Sequence, residues 1–285
     1  MKVAYLIQCH KNSRQIELLI NSLILTKDDY VVIHIDAKSP RIAEELKEIY
    51  QLASNIHIVE DPVSVFWSGI SQLQATLKML RALYHNDINF DYCCLLSGED
   101  VVLDVDKFKQ YLCYADNKSF LDYRSDRASY CWRINRFNLF RNNRFSQTFL
   151  ARACSALAIK LQFMVGLKRK NFRDEEIFLG SQWFTLSRVH ADIIYEKVDD
   201  AVIKDFTYTS CSDEHFFQML FSQWIKKEEI ETFNLRYIDF PHGHSSPRYL
   251  SLNDLLLVRE RPACFIARKV TSDVLSQYIS FCEKR

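Results

Sequence analysis

Apolar and polar positions alternate along the first hundred residues in a pattern that predicts strands and helices in turn. Apolar runs typical of buried strands cover 3–9, 30–35, 56–59 and 92–96. Between these runs, apolar residues recur at helical spacing over 13–25, 41–52 and 71–84. Strands that alternate with helices over short connections predict an α/β fold, with a mixed, mainly parallel sheet flanked by helices.

The rest of the chain continues this pattern after an interruption. From about residue 124 to 173 the sequence is rich in Arg, Lys and aromatic residues, with no acid between Asp126 and Asp174. On either side the pattern predicts further elements: a helix over 105–112, a strand over 177–186, helices over 191–201 and 213–224, a strand at 264–270 and a last helix.

Composition and charge exclude some classes of protein. The net charge of +1 means that the electrostatic field of the whole chain says little about its partners. Nine cysteines without a CxxC pair argue against a zinc site and favour free thiols in a reducing cytosol. No apolar stretch reaches the ~18 residues of a membrane span, and the apolar part of MKVAYLIQCH is too short for a signal peptide. We therefore expect a cytoplasmic protein.

The run CCLLSGED at 93–100 ends an apolar strand at small and acidic residues. In an α/β protein, such a strand end delivers polar groups to a cleft. Asp104-Val105-Asp106 follows closely and is a literal Asp-x-Asp, a pattern that can hold a divalent metal. Because it opens a predicted helix, we interpret Asp104 as the N-cap and Asp106 as a first-turn acid.

Seven motifs, taken in order and spacing, resemble one known family. They are HIDAKS at 34–39, VFWSGISQLQATLKML at 65–80, LLSGEDVVL at 95–103, GSQWFTLSR at 180–188, CSDEHFF at 211–217, SPRYLSLNDLLLV at 246–258 and FIARKV at 265–270. The chain resembles the core-2/I-branching β-1,6-N-acetylglucosaminyltransferases and the peptide O-xylosyltransferases, which form glycosyltransferase family 14. The resemblance covers nearly the whole chain and is weakest over 120–175.

This resemblance implies a GT-A type, Rossmann-like fold that binds a nucleotide sugar at the carboxyl ends of its strands. It also implies inversion at the anomeric carbon without a divalent metal or other cofactor. Animal members are Golgi membrane proteins with a stem and disulfides. The features of this chain instead favour a bacterial, cytoplasmic member that makes a surface polysaccharide or lipooligosaccharide.

We expect a single domain over 1–285. Its nucleotide-binding half is 1–120, a basic and aromatic insertion covers 121–175, and the acceptor and catalytic half is 176–285. The expected reaction moves N-acetylglucosamine from a UDP-sugar to a glycan hydroxyl. UDP-xylose or another donor is an alternative, and a non-catalytic glycan- or nucleotide-binding protein is an alternative of another class.

The leaving diphosphate needs cations where no metal is used. The resemblance assigns this contact to Arg268 and Lys269, and less securely to Arg248. Adjacent residues of a regular strand point to opposite faces, so both side chains can reach one ligand only if the strand ends or bulges there. The alternative is that these cations merely end a strand in solvent.

Glu214 matches the catalytic base of the family, in a run where this chain has Cys211-Ser212-Asp213-Glu214 and relatives often have Ser-Pro-Asp-Glu. We expect Asp213 to cap the following helix. Glu214 could also be present only to favour the helix dipole. His215 is a weaker base candidate, more typical of a packing or surface histidine.

The resemblance also assigns the donor. Asp36, with His34 beside it, is expected to bind the nucleoside, although His34 alone fits a core histidine better. The donor-sugar residues are expected from two motifs. They are Trp67, Ser68, Gly69, Ser97, Gly98 and Asp100. Gly69 opens a helix whose free amides suit a polar ligand, whereas the plainer reading of that motif is a loop with a packed Trp.

The acceptor is expected at Gln182 and Trp183, where xylosyltransferases tend to carry Asp in place of Gln182. Trp132, Arg133 and Arg136 loosely resemble the region that holds the acceptor in branching enzymes. Trp183 fits a core tryptophan nearly as well as a platform for a sugar ring.

Three interpretations of the basic block stay open. The first is a site for an anionic, lipid-linked acceptor, with peripheral membrane contact through 156–170, which is apolar and then basic. The second is a solvated surface with its own small core. The third, nucleic-acid binding, is the least favoured, and we expect no nucleic acid partner.

Overall fold

The computed structural model describes residues 1–23, 28–124, 130–244 and 246–284. The predicted end of the first helix and the start of the basic block, 125–129, lie outside these ranges. All bounds and contacts below refer to the described residues.

Ten strands form two sheets. They are β1 Val3–Cys9, β2 Tyr30–Ile35, β3 Ile56–Ile58, β4 Tyr92–Ser97, β5 Asp100–Val102, β6 Ser119–Leu121, β7 Phe184–Ser187, β8 Ile230–Glu231, β9 Arg236–Ile238 and β10 Ile266–Arg268. The large sheet has the order β3-β2-β1-β4-β7-β6-β8, and the small sheet has the order β5-β10-β9.

The large sheet is mainly parallel, as the sequence predicts. Strand β1 pairs in parallel with β2 and β4, and β2 pairs in parallel with β3, whereas β7 runs antiparallel to β4 and β6. Gln8 is level with both His34 and Ser97. The carboxyl ends of β1, β2 and β4 therefore meet at one edge, where α/β folds place their ligands.

The small sheet brings the C-terminal motif to the same edge. Strand β10 runs antiparallel to β5, with Arg268 level with Asp100. It runs parallel to β9, with Arg268 level with Ile238. Because β5 follows β4 after only two residues, the FIARKV motif lies beside the end of SGED.

Helices cover both faces of the large sheet. They are α1 Ser13–Leu23, α2 Pro40–Tyr50, α3 Ile70–His85, α4 Val105–Cys113, α5 Trp132–Asn135, α6 Phe149–Met164, α7 Arg188–Lys197, α8 Asp200–Asp205, α9 Phe216–Trp224, α10 Leu252–Arg259 and α11 Ser272–Glu283. One apolar core joins α1, α4, α10 and α11 to the sheet, and a second joins α3, α7 and α9 to its other face. The α/β prediction is confirmed.

Several predicted elements differ in their bounds, and three of these differences concern the candidate site or its surroundings. Residues 177–183 are not part of β7, since the Gly180 amide donates to the Glu214 carbonyl at 2.9 Å instead of entering a ladder. The region 191–201 is divided between α7 and α8. Helix α9 begins at Phe216, because Ser212–Glu214 forms a separate 3₁₀ turn.

Two further sequence interpretations can be compared with the structure. Asp104 caps α4 by accepting from the Lys107 amide, so its interpretation as an N-cap is confirmed. Its other oxygen lies 3.0 Å from Arg259 Nη2. Within the described residues, no cysteine forms a disulfide, and Cys9, Cys93 and Cys94 are buried. Within the described ranges, no helix combines the length and apolar character needed to cross a bilayer.

Candidate active site

Two cavities open at the carboxyl edge of the sheet. Cavity A has a volume of about 620 Å³ and includes His34 and Asp36 in its wall. Cavity B has a volume of about 610 Å³ and includes Asp213 and Glu214. Six residues line both cavities: Trp67, Gln72, Gln182, Trp183, Arg268 and Lys269. The structure thus brings most of the predicted site residues to one cleft.

Asp36 and His34 stand at the β2 end of cavity A. Asp36 Oδ1 accepts from the backbone amides of Lys38 at 2.9 Å and Val65 at 3.4 Å, and Oδ2 lies 3.3 Å from Lys38 Nζ. His34 Nε2 accepts from the Val63 amide at 2.9 Å. Burial lowers the pKa of His34 to about 4, so the ring is neutral at pH 7. His34 holds the 63–65 loop and contributes one wall of the cavity.

Asp100 is not available to a sugar hydroxyl, contrary to the sequence prediction. Its side chain is completely buried. Oδ2 accepts from Arg236 Nη1 at 2.6 Å and from the Ser97 amide at 2.9 Å, while Oδ1 accepts from Arg268 Nη1 at 2.9 Å. Asp100 therefore positions two guanidinium groups that both line cavity B. The side chain of Arg268 is 14% exposed, whereas that of Arg236 is completely buried.

Glu99 holds the second cation of the motif. Glu99 lies 2.9 Å from Lys11 Nζ and 3.5 Å from Lys269 Nζ, and it accepts from the Tyr249 hydroxyl at 2.6 Å. Burial raises the pKa of Glu99, but hydrogen bonds from Lys11 and Tyr249 outweigh burial and lower it to about 2. The SGED motif thus supplies two buried carboxylates that orient Arg268 and Lys269.

Arg268 and Lys269 both reach the same space, as binding of one shared ligand requires. Strand β10 ends at Arg268, and both side chains line cavities A and B. The Arg268 guanidinium lies 4.4 Å from the centre of the Trp183 ring, and that of Arg236 lies 4.7 Å from it. Trp183 is 6% exposed, so it packs against these cations and offers little free face to a sugar.

Sequence reasoning missed Arg236. It lies in β9 outside the recognised motifs, and it follows no local pattern that marks a site. Its side chain is completely buried, and Nη2 donates to the Leu95 carbonyl at 2.7 Å. A lone cation in a short strand carries no signal until the pairing of β9 with β10 is known.

Arg248, predicted as a third diphosphate contact, is held away from the cleft. Its Nε lies 2.6 Å from Asp239 Oδ2, and its Nη1 and Nη2 lie 2.8 and 3.0 Å from the carboxylate of Asp254. It lines neither cavity A nor cavity B. Two carboxylates satisfy this guanidinium, so its structural role is to fix the loop before α10.

The two predicted glycines pack closely against other parts of the protein. A side chain at Gly69 would approach Asn142 Oδ1 to 2.7 Å, and the same oxygen accepts from the Ser71 amide at 3.3 Å. The start of α3 is therefore occupied by Asn142. A side chain at Gly98 would meet the Cys9 Cβ at 3.1 Å. Neither glycine lines cavity A or B.

The remaining predicted donor residues do reach the cleft. Ser97 lines cavity A, and its hydroxyl accepts from the Glu99 amide at 3.1 Å. Trp67 is 59% exposed and lines both cavities. Ser68 lines cavity B with φ of 65°, and its carbonyl accepts from the amide of Cys211, whose φ is 52°. Two left-handed non-glycine residues thus join the WSG loop to the Glu214 turn, and such conformations cluster at functional sites.

Glu214 lies on the 3₁₀ turn at the wall of cavity B. Its Oε2 accepts from Arg133 Nη1 at 2.8 Å, with the two side chains 38% and 22% exposed. Asp213 beside it is buried, and burial followed by the charge of Glu214 raises the pKa of Asp213. The predicted capping by Asp213 is wrong, because α9 begins after His215 and Asp213 Oδ1 has no hydrogen-bond partner within the described residues.

His215 is a packing residue, as the sequence favoured. Its Nδ1 donates to the Phe178 carbonyl at 2.6 Å, and burial lowers the pKa of the ring to about 3. The side chain is fully buried, so it does not compete with Glu214 for a proton of a bound ligand.

The predicted acceptor residues occupy different places. Gln182 lines both cavities and accepts from Gln72 Nε2. Trp132 lines cavity C, a separate space of about 480 Å³ beneath α6 that it shares with Trp67. Arg136 is 4% exposed, and its guanidinium lies 4.4 Å from the centre of the Phe163 ring. Arg136 therefore stabilises the insertion and does not face the cleft.

The side chains that could ligate a metal are not clustered in the described residues. Across the described ranges, no group of three or more His, Cys, Asp or Glu side chains is arranged to hold an ion. Asp104 and Asp106, the literal Asp-x-Asp, line neither cavity A nor cavity B.

Comparison with known proteins gives a family assignment. Residues 3–256 match the family described as Core-2/I-Branching enzyme. Over 125 residues the chain is 30% identical to the xylosyltransferase sqv-6 of Caenorhabditis elegans, an alignment that covers 42% of the chain and 15% of that protein. Over 221 residues it is 24% identical to the beta-1,3-galactosyl-O-glycosyl-glycoprotein beta-1,6-N-acetylglucosaminyltransferase 4 of Danio rerio, covering 75% of the chain and 48% of that protein.

The chain thus spans less than half the length of these curated relatives. Among solved structures, the apo structure of the bifunctional glycosyltransferase WbbM aligns with 98% of the chain and 49% of its own, at 12% identity and a TM-score of 0.41. Since the family match covers far more than half of the sequence, the chain belongs to the Core-2/I-branching enzyme family of glycosyltransferases.

Proposed function

We propose that the chain is an inverting glycosyltransferase that moves N-acetylglucosamine from a UDP-sugar to a glycan hydroxyl without a divalent metal. One observation carries the proposal. Glu214 lines the same cavity as Arg268 and Lys269, so a carboxylate and two cations face one space. Glycosyl transfer with inversion needs a base on one side of the anomeric carbon and positive charge at the leaving diphosphate on the other.

The proposed donor lies in cavity A and reaches into cavity B. Asp36 and the 63–65 loop hold the nucleoside, and Arg268 and Lys269 meet the diphosphate. Because Asp100 and Glu99 hold these two cations in place, the cations are preorganised for the charge that develops as UDP leaves. Two fixed cations are a recognised alternative to a metal ion for this task.

Glu214 is the proposed base. It takes the proton of the acceptor hydroxyl while the hydroxyl oxygen attacks the anomeric carbon, and the bond from that carbon to the diphosphate oxygen breaks. Arg133 occupies Oε2, and Oε1 has no hydrogen-bond partner within the described residues, which leaves it for the acceptor. Gln182 and Trp67, which line both cavities, are placed between the two substrates.

The wider setting is also part of the proposal. A bacterial, cytoplasmic enzyme that builds a surface polysaccharide or lipooligosaccharide fits the free thiols and the basic insertion. Because relatives of both kinds match the chain, UDP-xylose is the alternative donor. Gln182 favours N-acetylglucosamine, since it stands where xylosyltransferases tend to carry Asp.

The test is a transfer assay with a panel of UDP-sugars in EDTA, on the wild type and on Glu214→Gln. We expect the variant to lose about 10²–10⁴-fold in rate while it still binds UDP. Glu44→Gln, an exposed acid on α2, is the control and should keep full activity. Full activity in Glu214→Gln would refute the base assignment. UDP binding without turnover of any donor would favour the non-catalytic alternative.

A further inference from the structure

Helix α6 has an inverted distribution of polar and apolar side chains. Its buried residues are Ser155 and Gln162, and Gln162 bonds the backbone of Phe137 through both its amide oxygen and its nitrogen, at 2.8 and 2.9 Å. A helix on the surface of a globular protein normally turns its apolar face inward. In α6 the two buried side chains are polar instead.

The apolar side chains of α6 form an exposed stripe. Leu150, Leu157, Leu161 and Met164 are 72%, 59%, 50% and 81% exposed. Their spacing of 7, 4 and 3 residues places them on one face, on the side of the helix opposite Ser155 and Gln162. We call these four residues the α6 stripe. Exposed apolar neighbours extend the stripe at both ends of the helix, namely Phe149, Val165 and Leu167.

The charge around the α6 stripe has one sign. Residues 130–173 contain ten Lys and Arg and no Asp or Glu. Several of these cations have no ion pair within the described residues: Arg141, Arg144, Arg152, Lys160 and Lys170. Lys160 lies on α6 between the α6 stripe and cavity-facing residues, Arg152 lies on the side of α6 that faces the protein, and Lys170 follows the C-terminal end of the helix. An apolar stripe bordered by unpaired cations is complementary to a surface that is apolar inside and anionic outside.

We propose that α6 docks the enzyme on the interface of a bilayer that contains anionic lipids. The α6 stripe enters the boundary between headgroups and acyl chains, and Lys160 and Lys170 contact the anionic headgroups. The contact differs from the segment 156–170 that the sequence alone suggested, because it follows one face of the helix from Leu150 to Met164.

Docking by α6 also places the cleft at the membrane. Cavity C lies beneath the helix, and its lining includes the cations Arg141, Arg152 and Lys160 and the aromatic residues Trp67 and Trp132. Trp67 also lines cavities A and B. A glycan carried on an anionic lipid would therefore pass along cavity C to reach Glu214. This last step rests on the proposed function, whereas the docking itself does not.

The experiment measures binding of the full chain to vesicles of phosphatidylcholine alone and of phosphatidylcholine with phosphatidylglycerol. We expect binding to the anionic vesicles that weakens as salt is added, and little binding to the neutral ones. Leu157→Glu/Leu161→Glu should lower the affinity for anionic vesicles by at least about tenfold. Leu52→Glu/Leu257→Glu is the matched control, since these leucines are 92% and 70% exposed outside α6, and it should bind as the wild type does.

Three results would overturn the proposal. The first is equal binding to anionic vesicles by the wild type and Leu157→Glu/Leu161→Glu. The second is equal binding of the wild type to neutral and anionic vesicles. The third is a wild-type dimer in solution that the same double substitution dissociates. The last result would assign the stripe to a second copy of the chain. Transfer to a water-soluble acceptor should be unchanged in the variant, which separates failure of docking from failure of the proposed function.

Discussion

The guanidinium of Arg133 donates to Glu214 Oε2 at 2.8 Å and so joins the basic insertion to the proposed base. A backbone hydrogen bond holds Arg133 in place, because the Arg133 carbonyl accepts from the Ser210 amide at 2.9 Å. The pair therefore sets the direction in which the second carboxylate oxygen points into cavity B. Arg133 is a positioning residue by this geometry.

Replacing Arg133 by Met should lower kcat for transfer by about 10- to 100-fold, since a base that is free to rotate is misplaced in most bound complexes. The dissociation constant for UDP should stay unchanged, because Arg133 lines neither cavity A nor cavity B. Arg133→Lys should restore part of the rate. A loss of UDP binding that parallels the loss of rate would contradict a role confined to Glu214.

Arg268 and Lys269 should account for most of the diphosphate affinity. Each charge-assisted contact contributes about 1.5–3 kcal/mol, so Arg268→Ala/Lys269→Ala should weaken UDP binding by at least about 100-fold. Calorimetry with EDTA and then with Mn²⁺ is the measurement, and the wild type should bind equally under both conditions. Lys204→Ala, an exposed cation on α8, is the control. Binding that requires Mn²⁺ would contradict a site built on fixed cations.

The sequence predicts the order of elements well where periodicity is strong. Strands β1 and β2 have their predicted bounds, because long β-branched and apolar runs at the centre of a sheet leave little choice. The predicted start of α9 at residue 213 is wrong, because the helix begins at Phe216. The acids at 213 and 214 suit a helix N-terminus, and nothing local in the sequence reveals the 3₁₀ turn that precedes the helix.

The same limit applies to the site. Motif matching finds residues such as Arg268 and Glu214, which the fold brings together. It cannot distinguish them from Arg248, whose guanidinium is satisfied by Asp239 and Asp254 through packing of distant segments. The role of Asp100 likewise depends on Arg236, which approaches from 136 residues away. Pairings at such separations are decided by tertiary structure and leave no local signal.

Asp100 should be needed for stability as well as for binding. Its completely buried carboxylate faces two guanidinium groups, and removing one partner of a buried ion pair costs about 3–5 kcal/mol. Asp100→Asn should therefore lower the free energy of unfolding in urea by about that amount, and UDP binding should weaken because Arg268 loses its orientation. Asp61→Asn, at a side chain that is 93% exposed, should change stability by less than about 0.5 kcal/mol. Equal stability of Asp100→Asn and the wild type would mean that Arg236 and Arg268 find other partners.

The buried histidines predict how stability depends on pH. Burial lowers the pKa of His34 from 6.5 to about 4, and that of His215 from 6.5 to about 3. As pH falls below 6.5, these two histidines take up protons in the unfolded chain but not in the folded chain, so their contribution to the free energy of unfolding falls in this window. The raised pKa of Asp213 acts in the opposite direction, so the contribution of His34 is read from the difference between the wild type and a variant. With 1.36 kcal/mol for each pKa unit, His34 alone contributes a loss of about 3 kcal/mol by about pH 4.

His34→Gln should flatten this dependence. A Gln side chain offers an oxygen that can accept from the Val63 amide, as His34 Nε2 does, but it does not titrate. Urea unfolding between about pH 7 and about pH 4.5 should show a smaller loss of stability in the variant than in the wild type. The slope that remains belongs to the other shifted groups, which are His10, His190, His215 and Asp213. Glu99 does not affect the slope within this range, because its pKa is lowered from 4.5 to about 2 and its contribution to stability is lost only at lower pH. An unchanged slope in His34→Gln would show that His34 takes up a proton as readily in the folded chain as in the unfolded chain. The protonated ring could not accept from the Val63 amide and would need a different partner.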